Sequence, residues 1–195
     1  MPNVNSRIEY GKRHVKAVEL SAIAEALDLP IGWFLHNTPP VVASRRATLH
    51  SKGSTDFNVA LEKIVFIVSR LVDIGVIRAR RRTVYDFPRT HDDARLLSQR
   101  VREAAGLGQG PLDDLGALCE SFGMLPFALP FTNSPFDGSI VEIDTGEDEQ
   151  ERGLVVALVN SNTTNSRARF TLAHELGHWL FGDPYSTCDH GGSQE

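Results

Sequence analysis

Apolar residues recur at helical spacing in several parts of the chain. Within residues 1–36 the pattern stops at Pro30, which predicts two or three short helices. A second series predicts an amphipathic helix from about Asp56 to Ile74, and residues 92–106 are predicted as another helix. The segment between the first two series, residues 37–54, lacks periodicity and is rich in Pro, Ser and Thr. We interpret it as a linker.

The second half of the chain mixes helix and strand patterns. Pro111 is placed to open a helix that runs to Ser121, with Gly123 as its C-cap. The three strand candidates are Met124–Leu129, Gly138–Ile143 and Leu154–Asn160. The acidic segment 146–152 is predicted to be a hairpin loop between the last two strands. A final helix is predicted from about Ser166 to Gly182-Asp-Pro184.

These elements predict an α+β fold in which helices pack on one side of a small antiparallel sheet. The predicted organisation is a helical segment at 1–36, the linker at 37–54 and a larger domain at 55–195. The basic run Arg78–Arg82 is interpreted as a solvated face or loop rather than a nucleic-acid contact.

Composition, net charge and cysteine content indicate where in the cell the protein is expected to lie. The chain has 195 residues, 41% hydrophobic, and a formal net charge of −5, so the whole protein is not a polyanion binder. Its two cysteines, Cys119 and Cys188, do not form a disulfide framework. There is no signal-peptide pattern and no apolar stretch near the roughly 20 residues that span a bilayer. We expect a cytoplasmic protein that does not enter the membrane.

The strongest chemical signal is the run Phe170-Thr-Leu-Ala-His-Glu-Leu-Gly-His-Trp-Leu-Phe181. His174 and His178 are four residues apart, so on a helix both imidazoles project from one face and can bind one Zn²⁺. Glu175 is rotated around the helix from His174 and is placed to act as the general base on a water molecule. Gly177 is unfavourable within a helix, which indicates a packing or site reason for it.

Two alternatives remain open for this helix. It could be a core helix whose histidines only satisfy each other or the backbone. The metal could also be manganese or iron, because two imidazoles and a carboxylate suit those ions as well.

The motif and its surroundings resemble the ImmA/IrrE family of metallo-endopeptidases. The similarity covers residues 92–195: the helix before Gly123, the short strands, and Arg169–Phe181 with its His-Glu-x-x-His motif. The resemblance implies a cytoplasmic bacterial zinc protease that cleaves a repressor protein. It makes His174 and His178 metal ligands and Glu175 the general base.

The family's third zinc ligand is a glutamate that begins a further helix. Here the sequence reaches only Glu195, which by the resemblance is either the third ligand or a residue just before it, and we expect a member truncated at its C-terminal end. Asp183, Asp189 and His190 are the nearby substitutes, with the last two interpreted as loop residues. A metzincin site is excluded, because Phe181 stands where that motif needs Gly and position 184 is Pro.

The N-terminal segment resembles the second half of a Cro/repressor-type helix-turn-helix domain. The resemblance rests on Asn5–Arg13, Val18–Pro30 and Trp33–Leu35, and it places Ser6, Arg7, Lys12 and Arg13 near DNA phosphates. The first two helices of such a domain are missing from the sequence, so we expect a helical remnant that does not bind DNA by itself.

The sequence therefore predicts a zinc metallo-endopeptidase that acts on a protein substrate, which the resemblance implies is a Cro-type repressor. An extended segment of this substrate is expected to add to an exposed strand of the sheet. The alternative is a DNA-associated transcriptional regulator with an inactive, vestigial peptidase domain. A purely structural helix pair without metal is the third reading.

Overall fold

The structure is a computed structural model, and its chain divides into two compact units, Met1–Pro40 and Val41–Glu195. The division falls inside the segment 37–54 that the sequence predicts as a linker, and that segment lies outside the described residues. The structure describes residues 7–8, 10–27, 29–35, 55–132, 137–145 and 152–182.

The first unit contains helix α1 (Ala17–Ala26) and a 3-10 helix (Ile31–Phe34). Glu19 caps the start of α1, because its carboxylate accepts hydrogen bonds from the Lys16 amide (3.1 Å) and the Arg13 guanidinium (2.6 Å). The backbone bond from Lys16, followed by the bond from Arg13, lowers the pKa of Glu19 below its usual value. Ala24 is buried, whereas several larger apolar side chains stay exposed: Val18, Leu27, Ile31 and Leu35. The described part of this unit therefore buries little apolar surface of its own.

The second unit is an α+β domain, as the sequence predicts. Its helices are α2 (Thr55–Asp73), α3 (His91–Ala104), α4 (Leu115–Ser121) and α5 (Asn165–Leu180). Its strands are β1 (Arg80–Arg81), β2 (Met124–Leu129), β3 (Gly138–Glu142), β4 (Arg152–Gly153) and β5 (Val155–Asn160). Each predicted helix and strand of this domain is present within a few residues of its expected bounds.

The main sheet has the strand order β2-β5-β3, and β1 and β4 form a separate two-stranded ribbon. β5 pairs in parallel with β2 and antiparallel with β3. The sheet is therefore mixed, and the prediction of an antiparallel sheet is wrong for β2. The reason is that all six residues of β5 are buried. A continuously apolar strand is most stable in the centre of a sheet, where it separates β2 from β3.

Side chains alternate between the two faces of β5 and build two hydrophobic clusters. Val155 and Ala157 face the cluster that includes α3, α4 and α5, whereas Val156 and Leu158 face the cluster built on α2. Helix α5 thus packs on one face of the sheet and α2 covers the opposite face, so the prediction that the helices pack on one side of the sheet is wrong.

The helix that was expected to open at Pro111 begins instead at Leu115. Asp114 is its N-cap, and its side chain accepts a 2.8 Å hydrogen bond from the Ala117 amide. Pro111 lies in the preceding loop, where the carbonyls of Gly108 and Gly110 accept hydrogen bonds from Arg102. The end of the helix is as predicted, because Gly123 follows it with a positive φ of 79°.

Across the described part of the chain, no helix combines the length and the apolar character needed to cross a membrane.

Candidate metal centre

Helix α5 is fixed at both ends by local hydrogen bonds. The Thr164 side chain accepts from the Arg167 amide at 3.3 Å and caps the N-terminus. At the other end Gly182 follows the helix with φ 71°, a left-handed conformation that favours glycine. Leu176, Trp179 and Leu180 are buried against the sheet. The apolar stripe of the motif therefore sets which face of α5 is left for the histidines.

The two histidines lie side by side on the half-exposed face of α5. Their Nε2 atoms are 3.1 Å apart, and the ring planes are inclined by 79°. Two nitrogen ligands at zinc-bond length in tetrahedral geometry are separated by about 3.3 Å. The pair thus fits one zinc ion with only a small adjustment. The same distance also fits a hydrogen bond between one protonated and one unprotonated nitrogen. The geometry is therefore compatible with a metal-binding pair and with a structural histidine pair.

Glu175 is the polar residue between the histidines, and it is 8% exposed. A carboxylate this buried needs hydrogen-bond donors or a cation to offset the loss of water around it. One turn before His174, Phe170 is 64% exposed and its ring stacks on the imidazole at a centroid distance of 6.2 Å. The face of α5 that carries the motif thus combines two imidazoles, one buried carboxylate and an exposed aromatic ring.

Contacts of the Trp179 side chain hold α5 on its buried side, and the sequence analysis did not predict them. We call Trp179 with its neighbours Arg82, Glu142 and Phe122 the brace of α5. The guanidinium of Arg82 lies 4.5 Å from the centre of the Trp179 ring and bonds to Glu142 at 2.8 Å, while Trp179 Nε1 donates to the Phe122 carbonyl at 2.7 Å. Arg82 belongs to the basic run that was expected to be solvated, yet its side chain is only 13% exposed. The expectation is wrong for Arg82 because an arginine can stack on an aromatic ring while it pairs with a carboxylate.

The chain after β1 also holds the C-terminal end of α5. The Tyr85 amide donates a 2.8 Å hydrogen bond to the Leu180 carbonyl, one of the groups that the end of a helix leaves without an internal partner. Phe87 packs edge-on against Phe181 with centroids 5.1 Å apart. These contacts fix the last turn of α5, which carries His178.

Strand β3 approaches the middle of α5 closely. A Cβ at Gly138 would lie 2.6 Å from Cγ2 of Thr171, which is buried one turn before Glu175. Gly177, by contrast, has room, because a Cβ there would meet its nearest neighbour, Cε2 of Phe181, at 3.6 Å. The expected packing reason for Gly177 is therefore not found among the described contacts, whereas Gly138 has one.

Not every residue assigned from the sequence can be placed. Glu195, the predicted third ligand, lies outside the described residues, as do Asp183, Asp189 and His190. Within the described ranges, no group of three or more His, Cys, Asp and Glu side chains is arranged to hold a metal ion. The structure thus brings His174 and His178 together, and the third ligand stays a prediction.

The predicted DNA-contacting residues are only partly described. Ser6 lies outside the described residues, and Arg7 and Lys12 are exposed. Arg13 is bonded to Glu19, so its guanidinium already has a carboxylate partner. Lys12 lies 5.9 Å from the centre of the Tyr10 ring.

Comparison of the chain with protein-family models, with curated proteins and with solved structures gives no match in any of the three.

Proposed function

We propose that the chain is a zinc-dependent metallo-endopeptidase of the ImmA/IrrE type, in which His174 and His178 hold the metal. The proposal rests on the two Nε2 atoms, which lie 3.1 Å apart on one face of α5 with Glu175 beside them. Two imidazole ligands and a carboxylate that can act as general base are parts of a hydrolytic zinc site, which also takes a third protein ligand. Glu195 is proposed as the third protein ligand on the resemblance alone.

A bound zinc ion would act as a Lewis acid and lower the pKa of a coordinated water molecule to about 7. Glu175 accepts a proton from the attacking water as the water oxygen bonds to the scissile carbonyl carbon. The same carboxyl group then donates that proton to the leaving amine as the C–N bond breaks. Its low exposure favours this role, because burial keeps bulk water from competing for the proton.

The substrate is proposed to be an extended segment of a protein, a Cro-type repressor by the resemblance. Within the described residues β3 is an outer strand of the sheet, and its close approach to Thr171 places it beside α5. An extended peptide that pairs with β3 would therefore run past the helix that carries the histidines. The exposed Phe170, stacked on His174, offers an apolar contact for a substrate side chain.

Zinc content of the purified chain tests the metal assignment. We expect one zinc per chain, lost in His174→Ala and His178→Ala and kept in Glu175→Gln. His91→Ala is the matched control, because His91 is an exposed histidine at the first position of α3. Glu195→Ala should weaken zinc binding if that residue is the third ligand. Zinc retention in both His174→Ala and His178→Ala would contradict the assignment and favour the structural histidine pair.

Proteolysis is measured separately, on labelled casein and on a set of Cro-type repressors. Glu175→Gln should abolish cleavage while zinc stays bound, since only the proton transfer is lost. Cleavage that survives in Glu175→Gln would refute the mechanism. Zinc binding with no cleavage of any of these substrates by the unaltered chain would favour the alternative, a regulator with an inactive peptidase domain.

A further inference from the structure

A groove of about 630 Å³ lies at the β1–β4 ribbon, on the second unit. It is lined by the residues that follow α2, by the start of β2 and by the two ribbon strands. Sequence positions about 75 residues apart therefore meet there. Its volume lies within the range of small-molecule sites, roughly 300–1,000 Å³. We call it the basic groove, because four arginines line it: Arg78, Arg80, Arg81 and Arg152.

Strand pairing brings together two of the four arginines of the basic groove. Arg81 and Arg152 are direct partners in the antiparallel β1–β4 ladder, so both side chains stand on one side of the ribbon. Like charges at such positions repel each other and weaken the pairing. Within the described ranges, Arg78, Arg80 and Arg81 form no ion pair with a carboxylate. The one acidic residue among the described lining residues is Glu120. This concentration of positive charge favours an anion in the groove.

The floor of the basic groove is apolar. Val76 is 67% exposed and Ile77 and Leu125 are half-buried, and all three line the groove beside the arginines. A bare inorganic anion would leave this surface in contact with water. A ligand with both an anionic end and an apolar or aromatic body covers the floor and meets the arginines together. Arginine suits this ligand, since guanidinium groups bind phosphate oxygens in pairs and stack on planar rings.

We propose that the basic groove binds a small organic phosphate, a phosphate ester with an apolar or aromatic body. Arg78, Arg80 and Arg81 hold the phosphate oxygens, and the body lies on the apolar floor. The groove also adjoins the brace of α5: a Cβ on Gly153, the residue after Arg152, would contact the Trp179 ring. The ligand site does not depend on the proposed peptidase activity, because none of its described lining residues is a histidine.

Adenosine triphosphate is the probe, titrated by calorimetry into the full chain with a chelator present, so that metal at the histidines plays no part. We expect binding with a Kd below about 1 mM. Arg80→Ala/Arg81→Ala should weaken it by about tenfold or more, because the variant loses charge-assisted hydrogen bonds to the phosphate oxygens. The control is Arg95→Ala/Arg100→Ala, on the exposed surface of α3. Each double variant removes two positive charges and changes the net charge from −5 to −7, and the control should bind as the unaltered chain does.

Several results would overturn the proposal. Equal weakening in both double variants would mean that long-range charge, not the groove, attracts the probe. Inorganic triphosphate that binds as tightly as adenosine triphosphate would mean that the apolar floor contributes nothing. A single-stranded oligonucleotide that binds more tightly than the nucleotide would identify the groove as a nucleic-acid surface.

The absence of binding to the unaltered chain would refute the proposal as well. The sequence carries four carboxylates at residues 147–151, directly before Arg152. If binding appears only after these carboxylates are changed to amides, the arginines serve that segment of the chain rather than a ligand. His174→Ala should bind the nucleotide unchanged, so a failure of the peptidase proposal would not affect this result. Circular dichroism checks that each variant keeps its helical content.

Discussion

Replacement of Gly153 by alanine tests whether the ribbon and the motif helix are packed as tightly as the structure indicates. A Cβ on Gly153 would lie 2.7 Å from Cη2 and 3.0 Å from Cζ2 of the Trp179 ring. Carbon atoms in contact are ordinarily separated by about 3.5–4.0 Å, so the ring or the strand has to move. The ring is held by its hydrogen bond to the Phe122 carbonyl and by the Arg82 guanidinium above it.

The expected cost is that of an overpacked core, about 1–3 kcal/mol of unfolding free energy. For a domain of this size that corresponds to a fall in Tm of about 3–10 °C. The matched control is Gly177→Ala on α5, where a Cβ meets its nearest neighbour at 3.6 Å. That change should leave stability unaltered or raise it by up to about 1 kcal/mol, because alanine is the better helix former. Urea unfolding and thermal melts followed by circular dichroism measure both variants.

The double variant Gly153→Ala/Trp179→Phe separates a clash with the indole from other effects. Phenylalanine lacks the outer ring atoms that the new methyl group would meet. The cost of Gly153→Ala should therefore be smaller in the Trp179→Phe background, as a non-additive pair in a double-mutant cycle. The same cost in both backgrounds, or a Gly153→Ala protein as stable as the unaltered chain, would refute this account of the packing.

Two further predictions concern titratable groups. Burial raises the pKa of the Cys119 thiol to about 12. In the Cys188→Ser variant Cys119 is the only thiol, so this protein should react with a thiol reagent at pH 8 only after it is unfolded in urea. Rapid labelling of the folded variant would contradict this. Hydrogen bonds from the Thr90 side chain and nearby backbone amides lower the pKa of Asp93 below its usual 3.8. The stability that ionised Asp93 contributes is present above pH 3.8 and is lost as the pH falls through the lower folded pKa. The Tm values of Asp93→Asn and of the unaltered chain should therefore differ at pH 7 and converge in acid.

The elements of the domain were predictable because their signals are local. The apolar stripe of α5 and the four-residue spacing of His174 and His178 require only the helical period, so the sequence predicted that both rings share one face. The turn at Gly123 followed in the same way from a glycine after a helical pattern. The prediction failed at Pro111, where two plausible helix starts compete. A proline is tolerated at the first position, but the Asp114 side chain makes the cap.

Tertiary structure decided the features that depend on contacts distant in the sequence. Parallel pairing of β2 with β5 follows from the burial of β5 between two outer strands, and no local pattern specifies which strands become its neighbours. From the sequence, Arg82 is predicted to belong to a solvated basic run. Only the tertiary structure places Trp179 and Glu142 beside it. The sequence by itself determined the helix with its histidines and carboxylate, because periodicity acts within a few residues. The brace behind α5 and the basic groove exist only because folding joins distant segments, whose side chains acquire their neighbours through packing.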